Sequence, residues 1–191
     1  MLKRLLDIVV SGSLLILGAI PFVIISAGIF VSSPGPVLFR QLRAGKDGRP
    51  FVLYKFRTMH PGPEGETYVA DPRVFPFGRL LREYHLDELP QLWNILIGDM
   101  SLVGPRPGLP SQAERYSERE RRRLSVRPGL TGLAQVSGNN ELEWNDRIEV
   151  DLEYVDRASV MFDLQILFRT LGTVIRKQGV YGPDGWVRDK R

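Results

Sequence analysis

Residues 5 to 31, LLDIVVSGSLLILGAIPFVIISAGIFV, decide which kind of fold the chain can adopt. Apart from Asp7 this run carries no charge, and the next charged residue is Arg40. A run well above about 18 apolar residues is typical of a membrane helix and too long for the core helix of a small domain. We therefore expect the N-terminus to enter a lipid bilayer.

Pro21 lies near the middle of the apolar run. Proline removes a backbone hydrogen bond and clashes with the preceding turn, so Pro21 predicts a break in the helix. Each half then has about 12 residues and a length of roughly 18 Å, which is too short for a hydrocarbon core of about 30 Å. The pattern favours a helix-break-helix that enters and leaves on the same face of the membrane.

Basic residues flank the apolar run on both sides, with Lys3 and Arg4 before it and Arg40 and Arg43 after it. Positive charge is retained on the cytoplasmic side, so this symmetry agrees with a re-entrant segment. A single kinked transmembrane helix stays open as an alternative, because proline is tolerated in membrane helices. A cleaved signal peptide is disfavoured, since SAG at 26–28 is a poor cleavage site.

The composition limits the number of domains and the kinds of site. The 191 residues suffice for one globular domain and an attachment segment, which we place at 37–191 and 1–36. The absence of cysteine excludes disulfides, thiolate catalysis and cysteine-ligated metals. The net charge of +4 is a weak excess, which suits an anionic membrane surface or a phosphorylated substrate as well as nucleic acid.

After the apolar run the pattern is mixed, with more helix than strand. It predicts strands at 51–59, 101–103 and 134–136, and helices at about 78–85 and from Pro90 to about Ile97. The stretch at 111–124, SQAERYSERERRRL, is dense in charges of both signs and is typical of a solvated helix. We expect a mixed α/β class, largely helical with a small sheet.

A stripe of apolar residues near the C-terminus predicts an amphipathic helix. Its members recur at spacings of three and four: Met161, Leu164, Phe168, Leu171 and Ile175. Such a stripe can be buried in the domain or lie in the lipid interface, and the sequence leaves both alternatives open.

Two neighbouring carboxylates, Asp87 and Glu88, precede Pro90 and a run of leucines. Acidic residues before a proline are typical of a helix start, where the helix dipole stabilises them. The same position suits phosphate chemistry, since a helix start binds anions and Arg82 and Arg106 lie nearby in sequence. Neighbouring helical residues point about 100° apart, so the two carboxylates could take different roles on one substrate.

Four motifs in order resemble the bacterial sugar transferase family, the monotopic phosphoglycosyl transferases, in their minimal catalytic form. They are KFRTM at 55–59, LDELPQLWNILIGDMSLVGPRP at 86–107, RPGLTGLAQVSG at 127–138 and DLEYVDR at 151–157. The resemblance implies transfer of a sugar-1-phosphate from a UDP-sugar to undecaprenyl phosphate with release of UMP, the first membrane step of glycoconjugate biosynthesis. It also implies that the domain at 37–191 is catalytic and lies at the cytoplasmic face of the bacterial inner membrane.

The resemblance assigns roles to the acidic pair. Asp87 would attack the β-phosphorus, form a covalent phosphosugar intermediate and contact Mg²⁺, while Glu88 would act as base on the polyprenyl phosphate. An ionised carboxylate is a competent nucleophile, and a divalent metal neutralises the diphosphate as UMP leaves. Mg²⁺ is usually bound by one or two carboxylates plus substrate phosphates, which suits a chain with few candidate ligands.

Candidate substrate-binding residues are mainly cationic, because a guanidinium can hold two phosphate oxygens at once. They are Lys55, Arg57, Arg82, Arg106, Pro107 and Asn139. For each cation, a structural ion pair is the competing interpretation.

Two positions depart from the family pattern. Asn139 stands where the family often has an arginine implicated in phosphate binding, so another arginine substitutes or the sugar nucleotide is held differently. Ile20 precedes Pro21 where the family typically has serine, which leaves the freed carbonyl to Ser11, Ser13 or a neighbouring helix.

The expected partners are a UDP-sugar, undecaprenyl phosphate and the lipid bilayer, and a homo-oligomer stays open. Nucleic acid is not expected, because the net charge is weak and no recognisable motif is present. The alternative function is a non-catalytic membrane scaffold of the same fold, suggested by Asn139. The sequence does not name the sugar.

Overall fold

The computed structural model describes residues 1–60, 71–138 and 142–176. Within them the fold is mixed α/β and mainly helical, with two small two-stranded sheets, as the sequence predicted. The helices are α1 (Leu2–Leu17), α2 (Ala19–Ser32), α3 (Pro76–Glu83), α4 (Gln91–Ile97), α5 (Pro110–Glu114), α6 (Glu118–Arg121), α7 (Leu133–Val136), α8 (Trp144–Arg157) and α9 (Val160–Ile175). The strands are β1 (Leu38–Ala44), β2 (Pro50–Phe56), β3 (Ser101–Val103) and β4 (Gly129–Thr131).

The apolar N-terminal run forms two helices, α1 and α2, that meet at a bend of 62°. No single helix in the described ranges has both the length and the hydropathy to cross a bilayer, whereas this bent pair passes by length and composition together. The break falls at Gly18, and Pro21 lies in the first turn of α2. Proline excludes a helical bond to the carbonyl four residues earlier, which belongs to Leu17, the last residue of α1.

The hydroxyl of Ser11 does not donate a hydrogen bond to the backbone at the break between α1 and α2. It donates instead to the Asp7 carbonyl of its own helix, at 2.6 Å. The Asp7 carboxylate accepts hydrogen bonds from the Ser101 hydroxyl and the Leu102 amide, both at 2.9 Å. These bonds join α1 to β3, so the first helix packs into the body of the fold.

The strands β1 and β2 form an antiparallel hairpin, with Leu38 opposite Phe56 and Ala44 opposite Pro50. The sequence predicts β2 but not β1, because the arginines of β1 resemble the charges that flank a membrane segment. Lys55 is the penultimate residue of β2.

The strands β3 and β4 are parallel, with Ser101 opposite Gly129 and Val103 opposite Thr131. The predicted strand at 101–103 is therefore confirmed, whereas the strand expected at 134–136 is wrong. After Gly132 the chain forms the short helix α7, which buries Leu133, Ala134 and Val136 in the main core.

The stretch at 111–124 is not one solvated helix. It is divided into α5, α6 and a 3₁₀ turn at Arg122–Ser125. Tyr116 and Arg123 are buried, which a uniformly solvated helix would not allow. The mixed charge of the segment therefore concealed residues that belong to the core.

The C-terminal helix α9 buries Phe162 and Ile166 against the main core. The predicted apolar stripe faces outward instead: the side chains of Met161, Leu164, Phe168, Leu171 and Ile175 are all exposed, with Phe168 at 79% and Ile175 at 78%. The alternative in which the stripe packs into the domain is therefore wrong.

Candidate active site

The acidic pair lies on a 3₁₀ turn at Leu86–Glu88, between α3 and α4. The turn begins after His85, which adopts a left-handed conformation with φ 54°. Helix α4 starts at Gln91 with Pro90 as its N-cap, and within the described part of the chain no side chain caps its amides. Asp87 and Glu88 therefore do not serve as the start of α4, and their carboxylates are available for other contacts.

Glu88 is buried and shared between two cations. Its Oε1 atom accepts hydrogen bonds from Lys55 Nζ at 2.6 Å and from Arg106 Nη2 at 2.8 Å. Burial alone would raise the pKa of Glu88, but the charges of Arg106 and Lys55 outweigh it and hold that pKa well below its usual range. Glu88 is therefore an ionised carboxylate that brings together cations from β2 and from the loop after β3.

Asp87 is equally buried but differs in its electrostatics. Burial raises the pKa of its carboxyl and the charge of Glu88 adds to this, while Lys55 and Arg82 offset part of the effect. Among the described residues, no hydrogen bond to the Asp87 carboxylate is found. The pair thus combines a carboxylate fixed by two cations with one whose oxygens remain available to a ligand.

The loop that carries Arg106, residues 104–108, is held through its own backbone. Four successive carbonyls accept hydrogen bonds: Pro105 from the Gly129 amide (2.9 Å), Arg106 from Arg123 Nη2 (3.0 Å), Pro107 from Arg43 Nη1 (3.2 Å) and Gly108 from the Ala44 amide (2.8 Å). The sequence indicates neither Arg43 nor Arg123 as a support of this loop, and nothing in the run of arginines at 121–123 marks Arg123 as the buried one.

The other predicted site residues lie around this cluster or apart from it. Arg82 donates to the Thr58 hydroxyl at 2.8 Å and acts on Asp87 through its charge. Arg57 is buried and donates to the Ser33 hydroxyl at 2.8 Å, at the end of α2, rather than to the acidic pair. Pro107 is buried beside Arg43, and Asn139 lies outside the described residues.

The donor set for a metal is small. Across the described ranges, no group of three or more histidine, cysteine or acidic side chains could hold a metal ion. Asp87 supplies carboxylate oxygens without a hydrogen-bonding partner there, and Mg²⁺ commonly takes only one or two carboxylates with substrate phosphates and water. The residues present therefore fit an ion that arrives with a phosphorylated substrate.

The chain matches known proteins over nearly its whole length. The model of the family described as bacterial sugar transferase matches residues 1–177. The uncharacterized sugar transferase EpsL of Bacillus subtilis is 41% identical over 181 residues, which cover 94% of this chain and 90% of that protein.

Two further relatives carry more specific names. A UDP-glucose:undecaprenyl-phosphate glucose-1-phosphate transferase of Caulobacter vibrioides is 42% identical, with 94% of this chain and 72% of that protein covered. An undecaprenyl-phosphate galactose phosphotransferase of Salmonella typhimurium is 39% identical, with 94% and 42% covered. The resemblance of the four motifs is confirmed, and the chain belongs to the bacterial sugar transferase family.

Proposed function

We propose that the protein is a phosphoglycosyl transferase that moves a sugar-1-phosphate from a UDP-sugar to undecaprenyl phosphate and releases UMP. The observation that carries this proposal is the Asp87–Glu88 turn, where one carboxylate binds Lys55 and Arg106 and its neighbour has no hydrogen bond among the described residues. Relatives whose names state this reaction for glucose or galactose support the substrate class.

In the first step, an Asp87 carboxylate oxygen attacks the β-phosphorus of the UDP-sugar. The bond from that phosphorus to the bridging oxygen breaks, and UMP leaves with that oxygen. Burial and the Glu88 charge raise the pKa of Asp87, which makes the ionised form of this carboxylate a stronger nucleophile. In the second step, an oxygen of undecaprenyl phosphate attacks the same phosphorus and displaces the Asp87 carboxylate, so the enzyme is regenerated.

Lys55 and Arg106 are the two cations that contact Glu88 among the described residues, beside the nucleophile Asp87. Phosphate oxygens compete with a carboxylate for lysine and arginine, and arginine can bind two of them at once. The diphosphate in the first step, and the phosphosugar on Asp87 with the lipid phosphate in the second, therefore draw both cations away from Glu88. Since these two charges hold the pKa of Glu88 low, their withdrawal makes Glu88 a stronger base toward the lipid phosphate.

Mg²⁺ would be held by Asp87 together with the substrate phosphates. When bound it would neutralise the diphosphate and the leaving UMP. The contributions of the chain itself are the nucleophile Asp87, the base Glu88 and the two cations that orient the phosphates.

We further propose that the protein acts at the cytoplasmic face of the bacterial inner membrane through a re-entrant α1–α2 pair. Large apolar side chains are exposed along the pair, including Ile16, Leu17, Ile20 and Val23 at 69–78%. Helices of 16 and 14 residues extend only about 24 and 21 Å, less than a hydrocarbon core of about 30 Å. The outward stripe of α9 would lie in the same interface, where apolar side chains replace water with lipid.

UMP release by detergent-solubilised protein tests the reaction. We expect release from UDP-glucose or UDP-galactose with Mg²⁺ and undecaprenyl phosphate, and its loss in Asp87→Asn, because an amide is not a nucleophile for phosphorus. Asp156→Asn is the matched control, since Asp156 is exposed on α8 and pairs with Arg122. Full activity of Asp87→Asn would refute the assigned nucleophile.

The interfacial role of α9 has a separate test. Phe168→Glu with Leu171→Glu places charge on the exposed stripe, so we expect a several-fold slower reaction in lipid vesicles but little change in detergent. Thermal stability should be unaffected because both side chains are exposed. Ser125→Glu adds charge at an exposed turn as the control. Equal rates of the stripe variant and the control in vesicles would contradict the interfacial placement.

A further inference from the structure

Arg123 differs from its neighbours in the basic run at 121–123. Arg121 and Arg122 are exposed, whereas Arg123 is only 4% exposed. Its Nη2 atom lies 2.5 Å from Oδ2 of Asp151, which is 1% exposed on α8. A buried charge pair of this kind is retained only when its remaining hydrogen-bonding groups are also satisfied.

The guanidinium of Arg123 is fixed on its other sides as well. Its Nη1 donates to the Tyr116 hydroxyl at 2.8 Å. Its central carbon lies 5.4 Å from the ring centroid of Tyr116 and 5.9 Å from that of Trp144, within the range of cation–π contacts. A planar group held by a carboxylate, a hydroxyl and two rings has little freedom to rotate.

One more contact of Arg123 points toward the acidic pair. Nη2 also donates to the backbone carbonyl of Arg106, at 3.0 Å. The side chain of Arg106 in turn reaches Glu88 at 2.8 Å. A continuous series of contacts therefore runs from Asp151 on α8, through Arg123 and Arg106, to the turn that carries Asp87 and Glu88.

We propose that Arg123, fixed by Asp151, is a positioning residue that sets the backbone at Arg106 so that the Arg106 guanidinium meets Glu88. This inference rests on the proposed function for its consequence, the orientation of Arg106 toward the diphosphate of the sugar nucleotide. Arg123 itself does not touch Glu88 in this arrangement and acts through Arg106 alone.

A role limited to stability would not require this geometry. An apolar pair of similar volume can replace a buried ion pair without loss of stability. The bond to the Arg106 carbonyl is different, because no apolar side chain can donate it. Positioning and stability therefore predict different outcomes when the ion pair is changed.

The first experiment compares two adjacent arginines in UMP release. Arg123→Lys keeps a charge beside Asp151 but loses the planar fork, so we expect kcat/KM to fall roughly 10- to 100-fold, as for small displacements of catalytic groups. Arg122→Lys is the control, since Arg122 is exposed and pairs with Asp156, which lies on α8 as Asp151 does. We expect a change of no more than about twofold there.

A double-mutant cycle separates positioning from a general loss of structure. If Arg123 acts through Arg106, Arg123→Lys should cost little further activity in an Arg106→Ala background. The division of the loss between kcat and KM should also match that of Arg106→Ala. An equal fold-loss in both backgrounds would overturn the proposal.

Hydrogen exchange tests the positioning without turnover. The amides of Gly129 and Ala44 donate to the Pro105 and Gly108 carbonyls, on either side of Arg106. Arg123→Lys should speed exchange at these two amides and leave α4 unchanged; unchanged exchange there, or faster exchange throughout, would overturn the proposal. If the wild-type protein releases UMP from no UDP-sugar, the proposed function fails, while this result still decides the positioning role.

A paired variant covers the case in which Arg123→Lys fails to fold. Arg123→Met with Asp151→Leu removes both charges of this ion pair together, so neither partner is left without the other. Arg147, which is buried and also interacts with the charge of Asp151, is left unchanged. We expect this variant to fold and to show the same loss of kcat/KM and the same faster exchange. Wild-type kcat/KM in the folded double variant would overturn the proposal.

Discussion

At the scale of single residues, the candidate site is organised by Glu88, whose carboxylate accepts hydrogen bonds from Lys55 and Arg106. A local sequence pattern marks these residues as candidates for a site, but it does not show which cation binds which anion. Lys55 and Arg106 lie 33 and 18 residues from Glu88, so the pairing depends on the packing of β2 and of the loop after β3. Arg57 is also a candidate by its sequence, but its side chain donates to Ser33 and so holds the end of α2 rather than the acidic pair.

A single experiment should distinguish the role of Asp87 as nucleophile from the role of Glu88 as base. In Glu88→Gln the nucleophile is intact, so we expect the phosphosugar adduct on Asp87 to form and persist while steady-state UMP release falls roughly 100-fold or more. Intact-protein mass spectrometry after incubation with the UDP-sugar would detect the adduct. In Asp87→Asn no adduct should form, and an adduct of equal yield there would assign the nucleophile elsewhere.

At the scale of elements, the sequence predicted β2, β3, α3, α4 and α9. The spacing of their apolar residues and the prolines and glycines at their ends are visible within each segment. The prediction missed β1 and misassigned Ala134–Val136, whose conformations are set by tertiary partners. The bend of the N-terminal pair was predicted from Pro21 and appears at Gly18, because proline disrupts the bond to the residue four positions earlier. Local signals therefore predict that an element exists better than where it ends.

The position of α3 depends on Gly78. A Cβ added there would lie 2.2 Å from the Thr58 carbonyl oxygen, and Arg82 of the same helix donates to the Thr58 hydroxyl. Gly78→Ala improves helix propensity by about 1 kcal/mol, but the overpacking costs about 1–3 kcal/mol, so we expect a net loss of stability. Activity should fall as well, since Arg82 acts on Asp87 through its charge.

Gly172→Ala in α9 is the matched control for this prediction. Among the described residues, no atom outside the adjoining backbone of α9 lies within 4 Å of a Cβ at that position, so alanine should leave stability unchanged or raise it by up to about 1 kcal/mol. Thermal unfolding in detergent measures both variants. A Gly78→Ala protein as stable as Gly172→Ala would show that α3 can move away from Thr58 at no cost.

At the scale of the whole molecule, the first helix packs against the core of the fold. Besides Asp7, Lys3 donates to Asp163 at 2.6 Å and to the Val103 carbonyl at 3.0 Å, and Arg4 binds the end of α4 through the Leu96 carbonyl at 2.8 Å. No sequence pattern indicates these contacts, because Lys3 and Arg4 are the kind of residue expected beside a membrane segment. The boundary between residues 36 and 37 stays a prediction that unfolding experiments can test.

Asp7 joins α1 to the strand that leads into the Arg106 loop, and this predicts linked losses of stability and activity. One oxygen, Oδ1, accepts from both the Ser101 hydroxyl and the Leu102 amide. Asp7→Leu leaves both buried donors without their acceptor, which costs about 1–3 kcal/mol for each unsatisfied group. We expect a lower unfolding temperature and slower UMP release, because β3 continues directly into residues 104–108.

Asp7→Asn separates the hydrogen bonds from the charge. Asparagine keeps a carbonyl oxygen in the place of Oδ1, so both donors stay satisfied and most of the stability should be retained. Thermal unfolding and UMP release, measured on the same detergent-solubilised samples, compare the two variants. If Asp7→Leu unfolds at the wild-type temperature, the contacts of α1 with β3 do not stabilise the domain and the N-terminal pair serves attachment alone. If the asparagine variant loses as much as the leucine variant, the negative charge rather than the two hydrogen bonds holds α1 against β3.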